Sequence, residues 1–503
     1  MQSSAKVFLV GAGPGDPGLF TMKGLDCIRR ADCVIYDHLI NGELLSQTKP
    51  GCTLYYAGKS AGSHSMRQAE INALLLDCAG KYEIVVRLKG GDPYVFGRGG
   101  EEALCLREAG IAFEVVPGVT SAIAGPAYAG IPISHRGCAR SFHIITAHTS
   151  ADDDGLDYVN LSKLHGTLVF LMGLSRVREI CRGLIDGGMA ADMPAAVISH
   201  ATRSTQRTVT AALAQLPDVV EAENLQAPAI VVVGDVVALH AELDFFERKP
   251  LFGEMLLITR TSRQSAGLRT LLERMGAETV GAPMLELRPI PGALDAVIEK
   301  VETYDYVVFT SQNSLEIFFD ALFSAGKDVR ALCRTQLCVV GEATAKALRR
   351  FGLRADLCPE TARAEKLLDI LEPRLRAADH VLLPQSSAAK PVLREALKRL
   401  CTPDIVDVYD SVPPVTNADA LCRMLADGEI TGVTFTSSAA AENFHRAVGA
   451  DTLVNLPCYS IGPVTSNTLR TLGLEPIESD TATIESLASC VESHVRRKKR
   501  CDP

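Results

Sequence analysis

The sequence lacks the patterns that mark several classes of protein. No apolar run is long enough to span a bilayer. The first residues show no basic segment followed by an apolar core, so we expect no secretion signal and a cytoplasmic protein. None of the fifteen cysteines forms a Cys-x-x-Cys pair, which predicts reduced, mostly buried thiols. The eleven histidines show no His-Glu-x-x-His pattern, so we expect no metal site.

Excess positive charge is also lacking. The net charge of −9 argues against nucleic acid as the main partner. The hydrophobic fraction of 47% and the charged fraction of 22% are ordinary for a soluble globular protein, and 503 residues suffice for two to four domains. The basic run at residues 496–500 is expected to be a solvated, frayed tail.

Two phosphate-binding motifs are present only in part. An apolar run at 7–10 is followed by glycines 11 and 13, but Asp16 occupies the third glycine position of a dinucleotide fingerprint. Residues 58–60 read Gly-Lys-Ser, but Thr53 stands where a P-loop needs glycine. We therefore expect neither a NAD site nor an ATP site.

A glycine-rich segment is the most informative feature that is present. The apolar run 84–86 predicts a buried strand, and glycines 90, 91, 97, 99 and 100 follow it, together with Asp92 and Pro93. Glycine allows a backbone to approach a ligand closely, and α/β sheets hold small molecules in loops behind their strands. A plain tight turn would not need five glycines, so this loop is a candidate ligand site.

Strand and helix patterns alternate along the whole chain, which predicts an α/β fold. A break falls at 245–253, because the apolar run 229–237 is typical of a last core strand and 255–260 of a new first strand. We therefore expect two domains, at 1–245 and 253–495.

The second half contains an internal repeat. Phe-Thr-Ser at 309–311 recurs at 435–437, and Gly-x-x-Thr at 341–344 recurs at 462–465, which predicts two similar lobes. Each Ser or Thr is expected to cap a helix. For any single hydroxyl, capping alone is as plausible as function. If all four face a cleft, they would form an anion-binding surface with the helix N-termini: Ser311, Thr344, Ser437 and Thr465.

The first half resembles the uroporphyrinogen-III C-methyltransferases, which belong to the S-adenosylmethionine (SAM)-dependent tetrapyrrole methyltransferase family. The resemblance covers residues 7–240 and rests on blocks that occur in family order: 10–19, 36–39, 58–59, 87–102, 116–122, 127–132 and 167–173. It implies two α/β subdomains with SAM between them. Asp37 and Lys59 match the family's acid/base pair. The implied SAM-binding positions are Pro14, Gly90, Gly91, Asp92, Val95, Thr120, Ser121, Met172 and Ala201.

Four positions depart from the family pattern. His38 and Ser60 stand where arginines are usual, and Ala147 and Ala201 replace glycines. Without the resemblance, Asp37 would be interpreted as a turn or helix cap and Lys59 as a surface lysine. The departures leave open a methyltransferase that acts on a later corrinoid.

The second half resembles the uroporphyrinogen-III synthases. This resemblance covers residues 253–495 and rests on the repeated motifs and on the segment 408–412. It implies a two-lobed α/β fold, with one lobe at 253–288 and about 414–495 and the other at about 289–412. Tyr409 matches a tyrosine implied to assist loss of the substrate hydroxyl. On the residues alone, a partly buried strand-end tyrosine is equally plausible, and a non-catalytic ligand-binding module remains open.

Together the resemblances imply a bifunctional enzyme of tetrapyrrole biosynthesis. It would close hydroxymethylbilane to uroporphyrinogen III and methylate that product with SAM to precorrin-2, on the route to siroheme or cobalamin. They also imply a homodimer formed through the first half. We expect another protein to oxidise precorrin-2 and insert the metal.

Overall fold

The computed structural model describes residues 6–58, 66–147, 155–259, 262–282, 284, 286–412, 418–449 and 456–501. Lys59 and Ser60 lie outside these ranges. Within them, no helix combines the length and the apolar character needed to cross a membrane. Nor do the described ranges contain a cluster of three or more His, Cys, Asp or Glu side chains that could hold a metal ion.

The first sheet is entirely parallel, in the order β3-β2-β4-β1-β5. The apolar runs at 7–10 and 84–86 lie within β1 and β4, as predicted, and Val7, Leu9, Val85 and Val86 are fully buried. Burial on both faces is typical of a parallel sheet covered by helices. The elements are β1 (Lys6–Gly11), α1 (Met22–Arg30), β2 (Cys33–Tyr36), β3 (Thr53–Tyr56), α2 (Gln68–Lys81), β4 (Ile84–Lys89), α3 (Gly99–Glu108), β5 (Ala112–Val116) and α4 (Ser121–Tyr128).

The second sheet is mixed, in the order β6-β7-β10-β8-β9. The predicted last core strand is its central strand, antiparallel to β7 and β8. The strand ends at Val233, and a 3-10 helix follows at Asp235–Leu239, because Gly234 turns the chain with a φ of 145°. The elements are β6 (Phe142–Thr146), α5 (Tyr158–Leu161), β7 (Thr167–Leu171), α6 (Val177–Asp186), β8 (Pro194–Ser199), β9 (Arg207–Ala212), α7 (Leu216–Ala222), β10 (Ala229–Val233) and α8 (His240–Leu243).

The second half forms two further five-stranded sheets, in the orders β12-β11-β18-β19-β20 and β13-β17-β16-β14-β15. Its strands are β11 (Met255–Ile258), β12 (Glu278–Gly281), β13 (Glu286–Pro289), β14 (Tyr306–Phe309), β15 (Gln336–Val339), β16 (His380–Ser386), β17 (Thr402–Val412), β18 (Gly432–Phe435), β19 (Cys458–Ser460) and β20 (Pro476–Glu478). Its helices are α9 (Ser262–Arg274), α10 (Asp295–Glu299), α11 (Gln312–Ser324), α12 (Glu342–Arg349), α13 (Ala364–Leu371), α14 (Val392–Leu400), α15 (Ala418–Ala426), α16 (Ser438–Val448), α17 (Pro463–Thr471) and α18 (Ile484–Cys501).

The division into lobes differs from the prediction at one strand. We expected residues up to 288 in the lobe that contains β11. Instead β13 pairs antiparallel with β17, with Pro289 opposite Tyr409, so this segment belongs to the other lobe. The hydrogen bonds of an 11-residue partner strand decide the placement.

The internal repeat of the sequence corresponds to equivalent structural features in the two lobes. Ser311 caps α11 and Ser437 caps α16, each accepting a hydrogen bond from a first-turn amide, as predicted. Gly352 and Gly473 end the matching helices α12 and α17, with φ of 77° and 80°.

Two expectations about chain ends and caps are wrong. Thr344 and Thr465 do not cap helices, because Gly341 and Gly462 take the cap positions and the threonines lie inside α12 and α17. Nor is the basic run at 496–500 a frayed tail. It continues α18 to Cys501, and the Lys499 ammonium donates to the carbonyls of Pro250 and Phe252.

Candidate functional site

The glycine-rich loop behind β4 pairs with the loop behind β1. The Gly13 amide donates to the Gly91 carbonyl at 3.2 Å, and the Gly91 amide donates back to Gly13 at 2.7 Å. Both glycines have positive φ, 78° and 65°, a conformation that glycine adopts without strain. This crossing places Pro14 beside Gly90 and Gly91 at the carboxyl edge of the first sheet, where open parallel sheets bind ligands.

Three backbone segments meet beneath this crossing with no room for side chains. A Cβ atom on Gly118 would lie 2.2 Å from the Gly91 oxygen, and one on Gly11 would lie 2.5 Å from Gly118. The loop behind β5 is therefore as close-packed as the other two. Gly118 lies in the block 116–122, but its importance could not be predicted from the sequence, because the close approach joins segments distant in the chain.

Asp92 ties these loops together. One carboxylate oxygen accepts from the Tyr94 amide at 2.8 Å and the other from the Gly118 amide at 3.0 Å. Each oxygen keeps a lone pair for a ligand donor. Asp92, a predicted SAM contact, therefore also links the loops behind β4 and β5 through hydrogen bonds.

Helix α4 begins directly beside the glycine crossing. A Cβ on Gly91 would lie 3.8 Å from the Thr120 Cα and 3.9 Å from the Ser121 nitrogen. Thr120 caps the helix through its hydroxyl, and the first-turn amides favour a negative group. Val95 packs against the apolar cluster that contains Ala201. The structure therefore brings together the predicted residues Pro14, Gly90, Gly91, Asp92, Val95, Thr120, Ser121 and Ala201.

The second sheet contributes two strained loops to the same region. Strands β7 and β8 both run antiparallel to β10, so their carboxyl ends share one edge. Met172 follows β7 with a φ of 57° and is 51% exposed. Ala201 follows β8 between His200 and Thr202, which have φ of 47° and 70°. Non-glycine residues at positive φ are uncommon and concentrate at functional sites.

The loop behind β1 touches the loop behind β8. The Asp16 amide donates to the Thr202 hydroxyl at 3.0 Å, and a Cβ on Gly15 would lie 3.0 Å from the same oxygen. Asp16, which excluded a dinucleotide fingerprint, also accepts from the Tyr128 hydroxyl at 2.6 Å. Burial, together with this carboxylate, raises the pKa of Tyr128.

Asp37 follows β2 above a buried charge cluster. One of its oxygens accepts from the Leu39 amide at 3.0 Å, which is the turn cap that the residues alone indicated. The other lies 3.9 Å from the Arg87 guanidinium. A Cβ on Gly90 would lie 2.8 Å from the Leu39 Cβ, so the Asp37 turn adjoins the glycine-rich loop. The predicted partner Lys59 is outside the described residues.

The charge cluster itself consists of Arg87, Lys89 and Glu102. A single Glu102 oxygen accepts from the Lys89 ammonium at 2.9 Å and from the Arg87 guanidinium at 3.2 Å. All three side chains are at most 6% exposed, and burial lowers the pKa of Lys89. The other Glu102 oxygen has no hydrogen-bond partner within the part of the chain that the structure describes. This cluster was not predicted from the sequence, although all three of its residues lie in the block 87–102.

Two of the departures from the family pattern, the alanines that replace glycines, fit the fold without distortion. Ala147 is fully buried, and Ala201 is 8% exposed. Neither residue is among those with positive φ, so neither position demands glycine.

In the second half, the structure joins Tyr409 to Ser311. Their hydroxyl oxygens are 3.3 Å apart, and Tyr409 is 6% exposed at the end of the apolar core of its lobe.

The repeat also extends to hydrogen bonds between neighbouring helices. Gln312 donates to the Ala343 carbonyl, and Ser438 donates to the Val464 carbonyl at the corresponding place.

The four predicted substrate contacts divide into two kinds. Ser311 and Ser437 lie at helix N-termini behind β14 and β18. Thr344 and Thr465 are 6% and 4% exposed, so they present little surface to a ligand. The first-turn amides of α12 and α17 remain the groups at these ends that suit an anion.

The groups that meet behind the first sheet have the chemistry to bind SAM. The glycine crossing exposes backbone rather than side chains, the start of α4 suits the methionine carboxylate, and Met172 and Val95 offer apolar contact.

Comparisons with known proteins match both halves. Residues 6–217 match the model of the tetrapyrrole (corrin/porphyrin) methylases, and residues 266–489 match that of uroporphyrinogen-III synthase. The porphyrin biosynthesis protein HemD of Ruminiclostridium josui is 37% identical over 96% of this chain and 96% of its own. A uroporphyrinogen-III C-methyltransferase of Bacillus subtilis is 41% identical over 69% of this chain and 71% of its own.

A solved structure is also similar to the first half. The uroporphyrin-III C-methyltransferase of Thermus thermophilus, in complex with S-adenosylhomocysteine, is 38% identical over 46% of this chain and 93% of its own, with a TM-score of 0.41.

The four sheets define an α/β protein of two halves, each with one candidate ligand site. The chain belongs to the family of porphyrin-biosynthesis proteins in which a SAM-dependent tetrapyrrole methylase is joined to a uroporphyrinogen-III synthase. The resemblances found in the sequence are thereby confirmed.

Proposed function

We propose that this protein closes hydroxymethylbilane to uroporphyrinogen III and then methylates it at C2 and C7 with SAM to give precorrin-2. The observation that carries the proposal is similarity along the whole chain to a fused porphyrin-biosynthesis protein, at 37% identity over 96% of both chains. A methyltransferase acting on a later corrinoid, or a non-catalytic second half, is not favoured by that match.

In the first half, we assign positioning to the glycine crossing and proton transfer to Asp37. SAM supplies an electrophilic methyl group when bound. Attack by a pyrrole carbon is an in-line displacement, so the alignment that Gly90, Gly91 and Asp92 provide contributes much of the rate. Methylation makes the attacked carbon quaternary and leaves a positive charge on the ring, which is removed when a pyrrole N–H or a bridging methylene loses a proton. The Asp37 carboxylate can accept that proton as general base. Lys59 is proposed as its acid/base partner from the resemblance alone.

In the second half, we assign leaving-group assistance to Tyr409. Cyclisation expels the substrate hydroxyl as water while a carbon–carbon bond forms. The Tyr409 hydroxyl lies 3.3 Å from the Ser311 hydroxyl and can donate its hydrogen bond to the departing oxygen when substrate is bound. The cap residues Ser311 and Ser437 and the helix N-termini that contain Thr344 and Thr465 are proposed to bind the substrate carboxylates.

Finer assignments rest on the resemblance. We propose residues 1–245 as the methyltransferase and 253–495 as the synthase, a homodimer formed through the first half, and a cytoplasmic location. Size-exclusion chromatography with light scattering tests the dimer, which a mass of 53.9 kDa for the eluted species would contradict.

Two variants that each remove one proposed catalytic group test the function. In Asp37→Asn, hydroxymethylbilane and SAM should yield unmethylated uroporphyrinogen III. In Tyr409→Phe, cyclisation should fall while methylation of added uroporphyrinogen III continues at the wild-type rate. A Tyr409→Phe protein that cyclises as fast as wild type would remove Tyr409 from the mechanism. Full methylation by Asp37→Asn would remove Asp37.

A further inference from the structure

Contacts between the two halves converge on the loops of the methyltransferase cleft. The loop behind β8, residues 200–206, holds Ala201 between two residues with positive φ. Strained positions of this kind persist only where the surroundings hold them. Inside the first half, the Gln206 side chain accepts from the Thr202 amide at 2.8 Å and donates to Glu247 at 2.9 Å.

The other side of this loop is held from the synthase half. Glu278, at the start of β12, accepts from the Arg203 guanidinium at 2.7 Å and from the Ser204 hydroxyl at 3.2 Å. The Glu278 side chain is 16% exposed, and Ser204 is 4% exposed. Because Ser204 is shielded from water, loss of the carboxylate would deprive its hydroxyl of this acceptor in a place where water cannot readily replace it.

A second contact reaches the loop behind β1. Arg269 of α9 forms an ion pair with Glu43. Glu43 donates its amide to the Asn41 side chain, and the Asn41 amide group donates to the Gly15 carbonyl at 3.1 Å. The synthase half therefore supports the segment that carries Pro14 as well as the one that carries Ala201.

A third contact is apolar and passes through the connection between the halves. Phe252 packs edge-on against Phe246 with ring centroids 5.4 Å apart, and Phe246 packs against Tyr128 at 4.8 Å. The Tyr128 hydroxyl donates to Asp16. Three independent contacts thus end on the two segments that meet at the Asp16–Thr202 hydrogen bond.

We propose that Glu278 of the synthase half is a positioning residue for methyl transfer, holding residues 200–206 in the conformation that presents Ala201 to SAM. The inference rests on the proposed SAM site. Glu278 touches neither SAM nor the tetrapyrrole and acts through Arg203 and Ser204. The synthase half would then be part of the working methyltransferase.

The test uses the full chain and measures SAM affinity by calorimetry, methyl transfer as separate KM and kcat values, and cyclisation on the same samples. Glu278→Ala should raise the Kd and the KM for SAM about fivefold or more, within the usual range of coupling between sites, while kcat changes less. Glu278→Gln keeps an acceptor for Arg203 and should recover part of the affinity. Cyclisation should be unchanged.

Arg203→Ala removes the same contact from the methyltransferase half and should cause the same loss of SAM affinity. Because this variant leaves β12 unchanged, a loss of affinity in it cannot come from misfolding of β12. The matched control is Glu221→Ala. It breaks an ion pair with Arg178 in which the Glu221 side chain is 79% exposed and the Arg178 side chain is 63% exposed. It should leave the Kd unchanged, because exposed pairs contribute little.

Each outcome decides a different point. If the Kd for SAM stays within twofold of wild type in both Glu278→Ala and Arg203→Ala, the positioning role is refuted. If the wild-type protein itself neither binds SAM nor transfers methyl groups, the proposed function fails instead. A fall in kcat at unchanged Kd would also refute the inference, since a misplaced Ala201 must weaken binding.

Discussion

The buried cluster of Arg87, Lys89 and Glu102 yields a quantitative prediction. Glu102 is fully buried and balances two buried cations, with the Asp37 carboxylate 3.9 Å from Arg87. Glu102→Gln keeps the shape of the side chain but leaves one buried positive charge unbalanced. Breaking a buried ion pair on one side costs about 3–5 kcal/mol. For a unit of this size, that lowers Tm by roughly 6 to 20 °C.

The assay is differential scanning calorimetry of the full chain, with synthase activity followed to mark unfolding of the other half. The double variant Glu102→Gln with Lys89→Met removes one cation along with the carboxylate and should recover part of the lost stability. Glu101→Gln is the matched control in the same helix. Its carboxylate pairs with Arg98 at 51% exposure, so its Tm should change little.

The effect of Lys89 on folding stability should change with pH in a defined direction. Burial lowers the pKa of Lys89 below its ordinary value of 10.5, so the unfolded chain binds this proton more tightly and stability rises as pH approaches that value. Without Glu102, the pKa of Lys89 falls further, and the Tm deficit of Glu102→Gln should therefore shrink as pH rises. If the Tm of Glu102→Gln lies within 2 °C of wild type at neutral pH, the loss of stability is only about 1 kcal/mol or less. That result would refute the reasoning.

Three further predictions test other parts of the molecule. Gly118→Ala places a Cβ 2.2 Å from the Gly91 oxygen and should abolish SAM binding in calorimetry, whereas Gly80→Ala in α2, with open space around it, should bind SAM normally. Ser311→Ala should lower Tm more than its repeat counterpart Ser437→Ala, since each loses a cap worth about 1 kcal/mol but Ser311 also contacts Tyr409; equal losses would contradict this. The Lys300 ammonium and the Tyr304 hydroxyl lower the pKa of Asp404 from 3.8, so its stabilisation is present above that pH and is lost as pH falls through the lowered value; Asp404→Asn should flatten the fall of Tm with acid, and an unchanged slope would contradict it.

Much of the fold could be predicted from local patterns. The runs at 7–10 and 84–86 predicted β1 and β4 because continuous apolar residues are typical of parallel strands. The repeated Phe-Thr-Ser segments predicted two lobes because each repeat encodes one strand and one helix start. The caps at Thr344 and Thr465 were predicted wrongly because Gly341 and Gly462, in extended conformation, take the cap positions.

What could not be predicted depends on contacts distant in the chain. Gly118 must be glycine because its backbone packs closely against Gly11 and Gly91. Glu278 is important because it accepts hydrogen bonds from Arg203 and Ser204. No local pattern reports such pairs. The strain at Met172 and around Ala201 is likewise a property of the folded loops, and the sequence offers only ordinary residues there.

A single assay tests the central claim most directly. Hydroxymethylbilane and SAM are incubated together with the purified full chain under anaerobic conditions, and the products are separated by chromatography. The account predicts precorrin-2 without any added synthase. Uroporphyrinogen I or its methylated form alone would contradict the synthase assignment, and unmethylated uroporphyrinogen III would contradict the methyltransferase assignment.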